Sequence, residues 1–203
     1  MKAGLKPNPW LSMWTEPRKT IRGIITTDPS KQMLALCIVY GFPIMIHLAR
    51  FFSAGVNFSM WTILLLSLLL SPIAGFIGIS FTSGLVYWTG KWIKGKSKYK
   101  ELRSAVAWGN VPSVVTCAAW IILALALGEG LFVEGFYAEE MPMATLATFL
   151  YGIQVIVAVW SFIVFLIALS EVQKFSVLRA IANVVIPFVI LFVLGQFLNM
   201  IVM

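Results

Sequence analysis

His47 is the only histidine of the chain, and Arg50 follows three residues later. At that spacing the two share one face of any helix that carries them. Two such polar groups together could form a functional polar site. Little else supports catalysis. Asp28 is the one aspartate, and Cys37 and Cys117 stand apart in apolar segments without a CxxC. They read as small buried apolar residues. No GxSxG, HExxH, Walker or dinucleotide pattern occurs. No acid sits in the middle of an apolar run, where a proton-coupled transporter would need one. The expectation is a non-enzyme, with no metal and no cofactor. His47 and Arg50 are kept as the candidate polar site; the competing reading is that Arg50 snorkels to water from the end of a span.

The elements that would carry these residues are apolar. No charged side chain occurs from Phe51 to Gly90, and uncharged runs recur at 104–128, 141–170 and 180–203. Runs of about 18 or more such residues are long enough to cross a bilayer as helices. Hydrophobic residues make up 60% of the chain and charged ones 11%, far from the roughly one-quarter charged composition of soluble domains. The predicted fold class is therefore all-α: a polytopic membrane protein of five transmembrane helices preceded by an interfacial amphipathic helix. The predicted spans are about 33–52, 60–88, 105–127, 143–169 and 180–203. They form one domain, 32–203, behind a cytoplasmic lead, 1–31. That lead lacks the early apolar run of a signal peptide. Whether the second span is one long helix or breaks near Pro72 is left open.

Charge sets the orientation. The net charge is +7, but the basic residues cluster at span ends, so positive-inside bias explains them and no nucleic acid is expected. Residues 91–103, KWIKGKSKYKELR, carry Lys91, Lys94, Lys96, Lys98, Lys100 and Arg103 against one acid. The segment 128–140 carries four glutamates and no base. These belong on opposite sides, which places the N-terminus in the cytoplasm and the C-terminus outside.

Within the lead, Trp10 and Trp14 share a face. Ile21, Ile24 and Ile25 lie on one side of the following turns, with Arg18, Lys19 and Arg22 largely on the other. Such a segment is expected to lie in the interface and to touch anionic headgroups or a partner. Small residues at i, i+4 allow close helix approach in lipid. Ser67, Ser71, Gly75, Gly78 and Gly84 in the second span and Gly152 in the fourth are the expected packing positions, within the protomer or in a homo-oligomer. Gln154, Asn183, Gln196 and Asn199 are amides inside spans that are expected to face other helices.

Several segments together resemble the Yip family, the Yip-one membrane domain, and its short bacterial branch in particular. They are Asn8-Pro9-Trp10 with Trp14, Pro17 and Asp28-Pro29; the glycines 75, 78 and 84; the basic 91–103 loop leading to Ala107-Trp108 and Pro112; and Trp160 with Ser170 through Phe175-Ser176. The resemblance covers nearly the whole chain. It implies five helices, a cytoplasmic N-terminus and a multi-pass protein of the bacterial plasma membrane. For eukaryotic members it implies oligomers that organise early secretory membranes and bind Rab-type GTPases. Their acidic Asp-Leu-x-Gly-Pro-type stretch is absent here. The expected function is a non-enzymatic membrane-organising or scaffold protein that self-associates and recruits other membrane proteins at the cytoplasmic face. The alternative is a small transporter or channel subunit of unknown substrate.

Overall fold

The structure, a computed structural model, describes residues 8–135 and 141–202, with no side-chain description at 198, 199, 201 and 202. Glu139, Glu140 and the side chain of Asn199 thus lie outside the described residues. All regular elements among those described are helices: α1 (Pro9–Thr15), α2 (Pro17–Thr27), α3 (Met33–Phe51), α4 (Met60–Trp92), α5 (Tyr99–Gly109), α6 (Ser113–Leu127), α7 (Met141–Gln173) and α8 (Val177–Val202). Five stretches are long and apolar enough to cross a membrane: α3, α4, α6 with its following turn to Phe132, α7, and α8 to Phe197.

α4 continues through Pro72 as one helix of 33 residues, about 50 Å long at 1.5 Å per residue. Exposed tryptophans mark its ends, Trp61 on one side and the Trp88–Trp92 pair on the other. They are separated by about 40–46 Å of helix, the distance between the two headgroup regions of a bilayer.

The prolines explain how apolar helices keep their backbone satisfied. Proline inside a helix leaves the carbonyl four residues earlier without its donor, which is costly in lipid. Pro72 would orphan Leu68, and the Ser71 hydroxyl donates to that carbonyl at 2.7 Å. Pro43 would orphan Val39, and the Cys117 thiol reaches it from α6 at 3.5 Å. Pro187 would orphan Asn183, and Thr89 Oγ1 lies 3.0 Å from its carbonyl and 2.7 Å from its side-chain amide. The Thr89 hydroxyl also lies 3.0 Å from the Leu85 carbonyl of its own helix, so its one proton is shared between the Leu85 and Asn183 carbonyls and the Asn183 amide is best turned with its NH2 toward Thr89. Cys117, expected to be a mere apolar filler, is therefore also a cross-helix donor.

Two sequence expectations change. The stretch expected to span from about Ala105 is two helices, broken at Asn110–Pro112. Pro112 disfavours helical backbone at Val111, and the Asn110 side chain donates to the Val106 carbonyl at 2.8 Å, closing α5. The lead is also two helices, because Pro17 starts a new one. Much of its apolar face packs on the bundle. Met13, Ile21 and Ile24 are buried in one cluster with Leu102, Val106, Leu169 and Val172 of α5 and α7.

The small-residue expectation divides. A Cβ at Gly75 would overlap the Cys37 carbonyl, and one at Gly41 the Ser71 carbonyl. α3 and α4 thus touch backbone to backbone, with Ser67 and Ser71 buried along the same seam. Gly78 lies against the Tyr40 ring. Gly84 and Gly152 have no neighbour beside their Cα.

Candidate functional site

At one end of the bundle, the last turn of α7 gathers three segments that are far apart in sequence. Glu171 is only 8% exposed. Arg22 of α2 grips it with two hydrogen bonds, Nε to Oε1 at 2.9 Å and Nη2 to Oε2 at 3.1 Å. Lys174 Nζ reaches Oε1 at 2.8 Å, and Arg18 Nε stands 4.0 Å from Oε2. The carboxylate raises the pKa of Arg22 by hydrogen bond first and by charge second. Two residues on, the buried Gln173 accepts a hydrogen bond from the Ser97 hydroxyl at 2.8 Å and donates to the Val86 carbonyl at 3.4 Å. A Cβ at Gly90 or Gly95 would overlap that amide, so a side chain at either would displace Gln173 from its place under the 91–98 turn.

The tryptophan face of α1 completes this end. Trp10 packs edge-on against the fully buried Trp108, ring centres 5.6 Å apart, and its indole donates to Gln32 at 2.8 Å. Trp14 packs against the same cluster. The side chains left outward are cationic. Lys19 pairs with Glu16 at 3.0 Å, and Lys91 lies 4.4 Å from the Tyr87 ring. Lys94, Lys96, Lys98 and Lys100 form no ion pair among the described residues. Arg103 is different: it belongs to α5, its Nε is buried, and it sits 6.0 Å from the Phe76 ring. A cleft of about 540 Å³ lies between Arg18, Glu171, Lys174 and Arg179.

A family model described as the Yip1 domain matches residues 11–198. The chain belongs to the Yip1 family. No curated protein and no solved structure matches it. The match begins at Leu11, so it takes in most of α1 and all of α2, the helices that the structure folds against α5 and α7. Residues 11–31 of the lead thus fall within the family match.

The other end of this Yip1 domain holds His47 and Arg50. Arg50 is partly exposed and also held by the protein. Its Nε donates to the Leu131 carbonyl at 3.1 Å, and its guanidinium carbon stands 5.3 Å from the Trp120 ring centre and 5.9 Å from that of Tyr151. His47 packs edge-on against Trp120 at 5.1 Å. Both border an open groove of about 660 Å³ between α3 and α7, floored by α6, which runs from Arg50 to Asn110. Gln154 lines it, as expected of an amide facing other helices. Gln196 is exposed on α8 instead. Among the described residues no three His, Cys, Asp or Glu groups stand close enough to hold a metal.

Sequence reasoning missed Glu171, Gln173 and Trp120. Glu171 carried a usable signal. It is the only acid after Glu140, directly behind thirty uncharged residues, which is where an acid needs a specific partner.

Proposed function

We propose that this Yip1 protein is a non-enzymatic membrane organiser that recruits partners through its basic end, which faces the cytoplasm. The assembly on the last turn of α7 carries this reading. Three cations surround one buried carboxylate there, so pairing leaves the surface positive. The 91–98 lysines are held beside it through Gln173 and Ser97. Every lysine and arginine except Arg50 belongs to the lead, to 91–103 or to 174–179, which the positive-inside bias assigns to the cytoplasm. A rigid surface of this kind suits an acidic protein segment or anionic headgroups. Self-association would add copies of it side by side.

The test is photocrosslinking in native membranes from two positions, Arg18 and Lys96, each replaced by a photoreactive amino acid. Recruitment predicts that both capture the same protein from the cytoplasmic side. Adducts with lipid alone, or reaction only with reagents added from outside, would contradict it.

A further inference from the structure

We propose that the groove between α3 and α7 binds a phospholipid, with its phosphate at Arg50 and an acyl chain lying along α6. This is independent of recruitment at the basic end. No aspartate or glutamate lines the groove, so no carboxylate there would pair with a cation. The groove is instead supplied with donors. Arg50 uses Nε on Leu131 and is oriented by the Trp120 and Tyr151 rings, which leaves its two terminal nitrogens for an anion. Trp120 Nε1 and Gln154 Nε2 are buried without a hydrogen-bond partner. An unpartnered buried polar atom costs about 1–3 kcal/mol; of the seven such side-chain atoms among the described residues, these two and Ser161 Oγ belong to residues lining this groove. Gln154 lies about one helical turn deeper than Tyr151, the offset expected between a phosphate and the ester carbonyls beneath it.

Length and lining select a lipid over a free anion. From Arg50 to Tyr40 the groove follows α3 for about 15 Å, half the hydrocarbon thickness and hence one leaflet. Along that path Pro43, Ile44, Val155, Ala158 and Phe162 present apolar surface, broken by the small polar side chains of Ser113, Thr116 and Ser161 and, at the far end, Asn110. Inorganic phosphate would satisfy Arg50 and leave the apolar length empty.

The experiment uses the full chain in nanodiscs containing phosphatidylglycerol with a diazirine on its acyl chain, followed by peptide mapping of adducts. Labelling at 113–120 and 155–162 is expected to exceed that on the exposed face of α4 by about tenfold, the ratio that one charge-assisted contact supports. Arg50→Gln should remove most of this excess, and Gln154→Leu part of it, while excess inorganic phosphate leaves it unchanged. If Arg50→Gln does not fold, Gln154→Leu decides. Groove labelling equal to that of α4, labelling unaffected by the variants, or labelling abolished by inorganic phosphate would each overturn the proposal.

Discussion

Glu171 and Gln173 at the basic end, and Arg50 and Gln154 in the groove, are all polar groups set among apolar helices. The first pair is satisfied within the chain: Glu171 by Arg22 and Lys174, Gln173 by Ser97 and Val86. The second pair is satisfied only in part. A closed network of buried polar groups fixes a fold, whereas an open one is costly unless something else completes it. Trp108 Nε1, buried beside Trp10, is likewise without a partner, so the contrast is one of place: the open donors of the groove line a cavity that a guest can enter.

The largest effect should come from the seam both regions share. Gly75→Leu drives a side chain into the Cys37 carbonyl and should cost about 3 kcal/mol or prevent folding, at the upper end of overpacking penalties. Gly84→Leu, in open space, should stay near wild type. Equal thermal stability of the two variants in detergent would show that the α3–α4 contact is not what holds the ends together.

Next comes a change confined to one region. Glu171→Gln removes a charged acceptor from Arg22 and Lys174 and should cost about 2 kcal/mol. It should make residues 8–27 sensitive to protease while leaving groove labelling intact. Loss of both would mean that the regions are coupled rather than separate.

A smaller effect is expected where a donor serves one proline. Thr89→Val leaves the Asn183 carbonyl unpaired and should cost about 1–2 kcal/mol, and Cys117→Val, losing a weaker S–H donor to Val39, about 0.5 kcal/mol. A reversed order in thermal unfolding would show that these carbonyls find other partners.

How much was legible follows from what hydropathy encodes. The five apolar helices and the separation of basic from acidic segments are written in long runs such as 51–90 and 141–170, because lipid demands them. The lead was harder. Ile21 and Ile24 have the same periodicity whether they face lipid or α5 and α7, and amphipathicity does not name what the apolar face buries against. Asn110 and Pro112 were visible, but whether they start a span or interrupt a longer helix depends on Tyr99–Arg103 being helical, and the basic charges there favoured a loop. In the groove, the i, i+3 spacing of His47 and Arg50 was readable. Trp120 and Tyr151 lie on other helices and meet Arg50 only through tertiary packing.

The central claim is that the lead is folded onto the bundle through Arg22 and Glu171 rather than resting on lipid. A charge swap in nanodiscs tests it directly, comparing Arg22→Glu, Glu171→Arg and the double variant by hydrogen exchange over residues 11–27. Docking predicts that each single change raises exchange across α2 and that the double variant restores most of the protection, as coupled partners do. If protection in the double variant is no better than the sum of the single losses, the contact does not hold the lead in place.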